Sequence, residues 1–492
     1  MSSEQLIIRR PFDDSHYGVL DSAQIADVAA AAARGRAAQQ EWVKRPVRER
    51  AAVFTRLGEV ILANRDRVLD TIQDETGKSR LSAFEEVMDA ARAVRVFARQ
   101  APGLLRPLRR AGAIPVLTKT VEHHLPLGLV GIINPWNYPF NLPASDAAQA
   151  LLAGNAVILK PDSQTPHCAL LLAELLTEAG LPDGLFQVLV GAGSVLGPEI
   201  VEHVDFVMFT GSTATGRMLA RACAARLIGF SAELGGKNPL LVLADADLSA
   251  AVAGTVRGAF ANTGQVCVGI ERVYVIDEVY DAFVAALVAA VADLRLGAGH
   301  DWNVDMGSLA SAKQLATISA HVDDAVTKGA TVLAGGRARP DLGPYFYEPT
   351  VLADVTEDMT LCREETFGPV VSVYRVADEA EAIARANDSV YGLNASVWSA
   401  RRGEAVAAQL RAGTVNVNES YAAAWGSHAA PMGGFGESGV GRRHGSQGLL
   451  KYTQAQTVAV QRLHPIAPPR GLTNRRYAEL MTTAIALLNK LR

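Results

Sequence analysis

The chain has 492 residues, 49% of them apolar and 20% charged, with a net charge of −4. Such a length exceeds what one hydrophobic core serves, so two or three domains are expected. The near-neutral balance gives no basic surface for a nucleic-acid partner, and no run of about 18 apolar residues is present to span a membrane.

The first residues, Met1-Ser-Ser-Glu-Gln-Leu6, lack the basic and then apolar pattern of a secretory leader. Cys168, Cys223, Cys267 and Cys362 have neither paired nor metal-ligand spacing. Both features point to a reducing, cytoplasmic setting, without disulfides and without a metal. The ten histidines form no ligand motif, and no repeat of 20–50 residues is visible.

Residues 22–45 predict a helix capped by Asp21 or Ser22 and rich in alanine. Arg48 to Thr76 predicts a second, with Val53, Leu57, Val60, Ile61 and Val68 along one face, stopped at Thr76-Gly77-Lys78. Leu81 to Gln100 predicts a third, ended by Pro102-Gly103. Thr118 to Leu125 alternates polar with apolar residues and predicts a strand.

From Gly128 the pattern becomes α/β. Short apolar runs at Leu129–Ile133, Asn155–Leu159, Phe186–Val190 and Phe206–Phe209 alternate with helical segments at Pro143–Leu152, His167–Gly180 and Thr213–Ala225. Strands of this kind form a parallel sheet covered on both faces, with ligands beyond the carboxyl ends. A second such block follows Pro239, with strand-like runs at Leu240–Leu243, Arg272–Ile276, Ala330–Ala334, Val370–Val376 and Gly413–Asn418. The glycine-rich run Pro431 to Gly441 predicts a loop over a site or interface. After Pro465, Pro468 and Pro469, residues 477–491 have helical periodicity, with Leu480, Met481, Ala484, Ile485 and Leu488 on one side and Leu487 and Leu491 widening it.

Two short runs carry chemistry. Cys267, in Phe260-Ala-Asn-Thr-Gly-Gln-Val-Cys-Val-Gly269, stands where a helix or turn hands over to a strand, so a thiolate nucleophile there would have a rigid backbone. Thirty-four residues earlier, Glu233-Leu-Gly-Gly-Lys237 places a carboxylate in a tight turn that a ligand can approach closely. Alone, each also suits a plain structural role: a buried small hydrophobe for the cysteine, a turn for the glutamate. Thr210-Gly211-Ser212 ends a strand and opens a helix, where backbone N–H groups attract phosphate. Asn137, in Pro135-Trp136-Asn137-Tyr-Pro139, can donate to an oxyanion or cap the next helix. Lys160-Pro161-Asp162-Ser163 follows the second strand, and Glu364-Glu365-Thr-Phe367 precedes a later one.

In this order and spacing, these runs resemble the aldehyde dehydrogenase superfamily over roughly residues 20–460. The resemblance implies an α/β fold with two parallel-sheet domains: a Rossmann-like cofactor domain (residues 1–115 and 128–238) and a catalytic domain (239–443). It adds a β arm (116–127 and 450–463) for assembly into a homodimer or homotetramer, and residues 464–492 form an amphipathic tail.

The resemblance also implies the reaction, NAD(P)+-dependent oxidation of a small-molecule aldehyde to a carboxylic acid. Cys267 would attack the carbonyl carbon, Asn137 would steady the oxyanion, and Glu233 would activate water against the thioester. Trp136, Asn137, Lys160, Pro161, Asp162, Ser163, Gly211, Ser212, Leu234, Glu365 and Phe367 would hold the cofactor. Ser163 stands where NAD-preferring members often carry Glu, which favours NADP, with NAD as the alternative.

Coenzyme-A-acylating relatives lack a glutamate at the position of Glu233, so a free acid is the expected product. A non-catalytic protein on this fold would be expected to have lost the nucleophile. The runs Lys160–Pro166 and Leu227–Pro239 resemble chains assigned as NADP-dependent succinate-semialdehyde dehydrogenases. Yet Ser145 and Ala261 occupy positions where an arginine is expected to anchor a substrate carboxylate, so a broader aliphatic or aromatic aldehyde is the alternative. The tail is expected to dock on protein in preference to lying on a membrane through residues 475–491, although Arg475, Arg476, Lys490 and Arg492 flank its stripe.

Overall fold

Leu129–Ile133, Ala156–Lys160 and Phe206–Thr210 are buried along their whole length, as continuous apolar runs in a doubly covered sheet should be. The structure is a computed structural model that describes residues 5–114, 117–463 and 465–490, without the side chain of Leu488. Leu491 and that side chain, both expected in the tail stripe, lie outside the described residues.

The chain divides into two units: Met1–Leu104 with Pro126–Thr453, and Leu105–Leu125 with Gln454–Arg492. The first unit holds two large sheets. One has six strands in the order Gly439–Val440, Gly229–Glu233, Phe206–Thr210, Leu129–Ile133, Ala156–Lys160, Phe186–Val188. Its neighbours are parallel except for Gly439–Val440, which runs antiparallel to Gly229–Glu233. After Leu129–Ile133 the chain adds strands on one side, then crosses to add Phe206–Thr210 on the other. This reversal opens a crevice beyond the carboxyl ends of those two strands.

The second sheet has seven strands in the order Thr331–Ala334, Thr350–Ala353, Val370–Val376, Ile270–Ile276, Asn238–Val242, Asn394–Trp398, Thr414–Val417. It is parallel but for its first strand. Separate apolar cores cover its two faces, one around Leu241, Tyr274 and Leu352, the other around Leu240, Phe283 and Val373.

The second unit holds a three-stranded sheet in the order Thr453–Gln461, Thr118–Pro126, Leu108–Arg110. Thr118 Oγ1 donates to Gln461 Oε1 at 2.7 Å across it. The tail forms the helix Asn474–Lys490, on which Leu480, Ile485 and Leu487 are each more than half exposed. No described helix is long and apolar enough to cross a membrane.

Several local expectations are corrected. The first helix is Ile25–Trp42 and is capped by Gln24, in reciprocal bonding with Asp27, instead of by Asp21 or Ser22. The expected helix from Arg48 to Thr76 is two helices, Val47–Ala63 and Arg65–Thr76, because Asn64 leaves helical geometry and its amide donates to the Val60 carbonyl at 3.0 Å. Pro102 does not end the third helix, which runs Arg80–Leu104 with Ala101 fully buried. Glu233 closes a strand before the turn begins. The strands Gln5–Arg9 and His16–Asp21, and the helix Gly193–His203, were not legible.

Candidate active site

Cys267 lies between a short 3-10 turn, Ala261–Gly264, and the strand Ile270–Ile276. Asn262 and Thr263 in that turn have φ of 50° and 57°, a left-handed conformation that costs non-glycine residues energy. Buried bonds hold them there. The Asn262 amide donates to the carbonyls of Asn137 (3.2 Å) and Gln265 (3.0 Å), and Thr263 Oγ1 donates to the Gly307 carbonyl (3.2 Å). The Cys267 carbonyl accepts from Asn238 Nδ2 at 2.8 Å. Cys267 is partly exposed, whereas Cys168, Cys223 and Cys362 are buried. Burial pushes its thiol up to about 12, with Arg443 opposing and Glu365 and Glu233 adding to the rise.

Glu233 is 2% exposed, and neither carboxylate oxygen has a hydrogen-bond partner among the described residues. Burial raises its pKa to about 7, against the pull of Arg443 and Lys451. A buried base near neutrality suits proton abstraction from water. The glycines after it make room: a Cβ on Gly235 would stand 2.3 Å from Glu365 Oε2.

Asn137 follows the Leu129–Ile133 strand in a loop fixed from below. Lys78 Nζ donates to the Asn137 carbonyl at 2.7 Å, and Asn137 Nδ2 donates to the Gln265 carbonyl at 3.1 Å. One amide proton of Asn137 therefore ties it to the cysteine loop. Glu86 accepts the backbone N–H groups of Phe140 (2.9 Å) and Asn141 (3.0 Å), which satisfies the start of the helix Asn141–Leu152.

Two cavities meet at Cys267. One, of about 200 Å³, is lined by Trp136, Asn137, Gly211, Ser212, Glu233, Leu234, Glu365 and Phe367 among others, and lies at the strand-order reversal. The other, of about 350 Å³, is walled by aromatic and aliphatic side chains. Among the described residues, Cys267 and Leu142 alone line both.

Comparison with known proteins decides the family. Residues 1–458 match the model of the aldehyde dehydrogenase family. The chain belongs to the aldehyde dehydrogenase family. It is 56% identical to a Mycolicibacterium smegmatis protein provisionally assigned as a succinate-semialdehyde dehydrogenase [NADP(+)], over 94% of this chain and 90% of that one. An NADP-dependent enzyme of E. coli superposes with a TM-score of 0.90 at 34% identity, covering 93% of this dehydrogenase and 95% of that chain. The NAD+ complex of a Bacillus cereus aldehyde dehydrogenase superposes at 0.89 and 35% identity, covering 93% of each.

The residues present fit a dinucleotide. In the dehydrogenase, Ser212 caps the helix Thr213–Ala225, its Oγ accepting from the Thr215 N–H, and Gly211 and Ser212 at this helix N-terminus line the smaller cavity. Trp136 and Phe367 meet edge to face with centroids 5.5 Å apart. Phe367 has φ of 54°, and its N–H donates to Glu271 Oε1 at 2.9 Å. Glu365 accepts from the Gly236 N–H at 2.8 Å, and burial raises its pKa to about 8. Lys160, Pro161, Asp162 and Ser163 do not line the Cys267 cavities; Lys160 ends the neighbouring strand, Ala156–Lys160, and the other three follow it. There burial lowers the pKa of Lys160, and Ser163 Oγ donates to the Gly191 carbonyl at 2.9 Å.

Ser145 and Ala261 line neither cavity. Ser145 is buried, its hydroxyl donating to Asn141 Oδ1 at 3.2 Å. Lys78, Glu86, Glu271, Gln314 and Arg443 support the site without having been legible as site residues. Their partners are distant in sequence, and an isolated lysine or a Gly-Arg-Arg run reads as a solvated surface. Among the described residues no group of three or more His, Cys, Asp or Glu could hold a metal ion.

Proposed function

We propose that this dehydrogenase oxidises an aldehyde to the free acid with NADP+ through a thioester on Cys267. The position of Cys267 where the two cavities join carries the reading. Sγ, once deprotonated, attacks the aldehyde carbon presented from the larger cavity. The second amide proton of Asn137 and the Cys267 N–H steady the developing oxyanion. Trp136, Gly211, Ser212, Leu234, Glu365 and Phe367 would hold the nicotinamide half and the pyrophosphate. Lys160, Pro161, Asp162 and Ser163 would hold the adenosine end. When bound, the cofactor supplies the hydride acceptor. Glu233 then takes a proton from a water that attacks the thioester; the acid departs and the thiolate is regenerated.

The assignment of the 56% identical relative supports succinate semialdehyde as substrate and NADP as cofactor. In that case Arg92, which lines the larger cavity, is the candidate anchor for the substrate carboxylate. The cavity itself favours a second reading, an uncharged apolar aldehyde. Phe84, Met88, Tyr138, Leu142, Tyr421 and Trp425 dominate its wall. Its carboxylates Glu85, Glu86 and Asp89 outnumber Arg92 and Arg257, and Arg257 is paired with Glu85 at 3.0 Å.

Initial rates with succinate semialdehyde, hexanal and benzaldehyde, with each cofactor and with and without coenzyme A, test the whole reading. If succinate semialdehyde is the substrate, Arg92→Leu raises its KM and leaves hexanal unchanged. Higher kcat/KM for hexanal or benzaldehyde supports the second reading. Product formation that requires coenzyme A overturns the free-acid reading.

A further inference from the structure

Arg443 is among the largest fully buried side chains of the protein. Its Nε donates to Asp146 Oδ1 at 3.0 Å, and its Nη2 donates to Asp146 Oδ2 at 2.8 Å and to Thr210 Oγ1 at 2.7 Å. Asp146 belongs to the helix Asn141–Leu152, which begins directly after the Asn137 loop. Thr210 ends its strand directly opposite Glu233 in the parallel neighbour. The guanidinium is thus held one strand away from Glu233 by groups that are themselves fixed.

A buried ion pair of this kind adds little net stability over apolar residues of the same size. Its electrostatic surroundings are more informative. The charged groups facing Glu233 are Arg443, Lys451 and Arg442, which favour its ionised form, and Asp146, which opposes it. Lys451 Nζ contacts Met208 Sδ (3.1 Å) and Ser231 Oγ (3.4 Å). Burial works to neutralise Arg443, but Asp146 and Glu233 outweigh it and keep the guanidinium charged. Glu233 Oε1 lies where a Cβ on Gly433 would come within 2.8 Å, so the glycine-rich loop closes over the carboxylate without bonding to it.

We infer that Arg443 is a positioning residue for the water-activating carboxylate: Asp146 and Thr210 anchor it as a fixed positive charge beside Glu233 that does not hydrogen-bond Glu233. A direct Arg–Glu pair would ionise the carboxylate but occupy its lone pairs. The arrangement found offsets part of the burial that neutralises the carboxylate and leaves both oxygens for water. The inference rests on Glu233 as the base proposed above.

The test is the pH profile of kcat under conditions where deacylation limits turnover. Replacing both partners, Arg443→Met with Asp146→Asn, should still move the acid limb up, by about half a unit and a roughly threefold loss of rate on the acid side, because the favourable charge lost outweighs the opposing charge of Asp146 lost with it. Rates on the alkaline plateau should change little. Arg443→Gln is the second variant should the double variant not fold, with a larger shift in the same direction expected because Asp146 keeps its charge. Arg443→Lys, which keeps the charge, should restore a profile close to that of the wild type. An unmoved acid limb in a folded neutral variant, with kcat lowered evenly at all pH values, overturns the inference. Glu233→Gln separates the two readings. A burst of reduced cofactor followed by slow turnover keeps Glu233 as the base even if Arg443 fails; no burst removes both.

Discussion

Lys78 Nζ lies 2.7 Å from Glu86 Oε2, with neither side chain exposed, directly beneath the Asn137 loop. Each partner of this pair also bonds the backbone of that loop or the helix after it. Lys78 further stands 4.3 Å from the centre of the Tyr138 ring. Removing one member leaves an uncompensated buried charge, at a cost of about 3–5 kcal/mol. Lys78→Met is therefore expected to lower Tm by several degrees and to reduce kcat more than it raises KM. Calorimetry and steady-state kinetics check this; an unchanged Tm would show that the pair does not brace the loop.

Cys267→Ala should abolish turnover while NADP+ still binds, because the cofactor residues are untouched. Fluorescence titration of the variant alongside rate measurements decides the point. Turnover above about a hundredth of the wild-type rate would remove Cys267 as the nucleophile.

Glu233 also makes a statement about stability. Its folded pKa, about 7, is raised above its ordinary value by burial, so the folded state holds a proton that the unfolded chain releases earlier. Stability from this group is therefore lost as pH rises from the ordinary carboxylate range through 7, by roughly 3 kcal/mol in full. Glu233→Gln should be more stable than the wild type at pH 8, and the gain should shrink towards pH 5. Chemical denaturation at both pH values tests it; a gain that is equal at both contradicts the assigned environment.

Ser163 donates to the Gly191 carbonyl and brings no charge to the end of the Ala156–Lys160 strand. NADP should be used at least as well as NAD. Ser163→Glu should shift preference towards NAD, since a carboxylate near a 2′-phosphate costs about a kcal/mol or more in a partly wet site. The ratio of kcat/KM values for the two cofactors, before and after substitution, reads this directly, and a clear NAD preference in the wild type would refute it.

The helix Asn474–Lys490 carries Leu480, Ile485 and Leu487 exposed, with Arg475 paired to Glu479 at 3.1 Å. Its length of about 25 Å, at 1.5 Å per residue, falls short of a bilayer core of about 30 Å. Docking on protein predicts that removing residues 470–492 changes oligomeric mass or kinetics, while the intact enzyme does not bind anionic liposomes. Flotation of the intact enzyme, with a truncated form that is kinetically unchanged, would favour the membrane instead.

Features that depend on local backbone chemistry are legible in the order of the residues. Apolar runs of four to seven residues marked most strands of both sheets. Asn137 and Gly211 follow neighbouring parallel strands and Glu233 closes a third, because parallel strands deliver their carboxyl ends to one edge, whereas Cys267, Glu365 and Phe367 precede the strands Ile270–Ile276 and Val370–Val376 of the second sheet. Tertiary structure decided what those motifs lean on. Arg443 meets Asp146 across 297 positions, and Lys78 meets the Asn137 carbonyl across 59. No local pattern encodes such pairings, since an arginine beside glycines and a lysine after a helix look solvated until the fold removes the water. The apolar wall of the larger cavity arises in the same way: Phe84, Tyr138 and the pair Tyr421 and Trp425 come from three separate segments. Even Pro102 follows this rule, for the helix continues through it to Leu104 where the local pattern marks a stop.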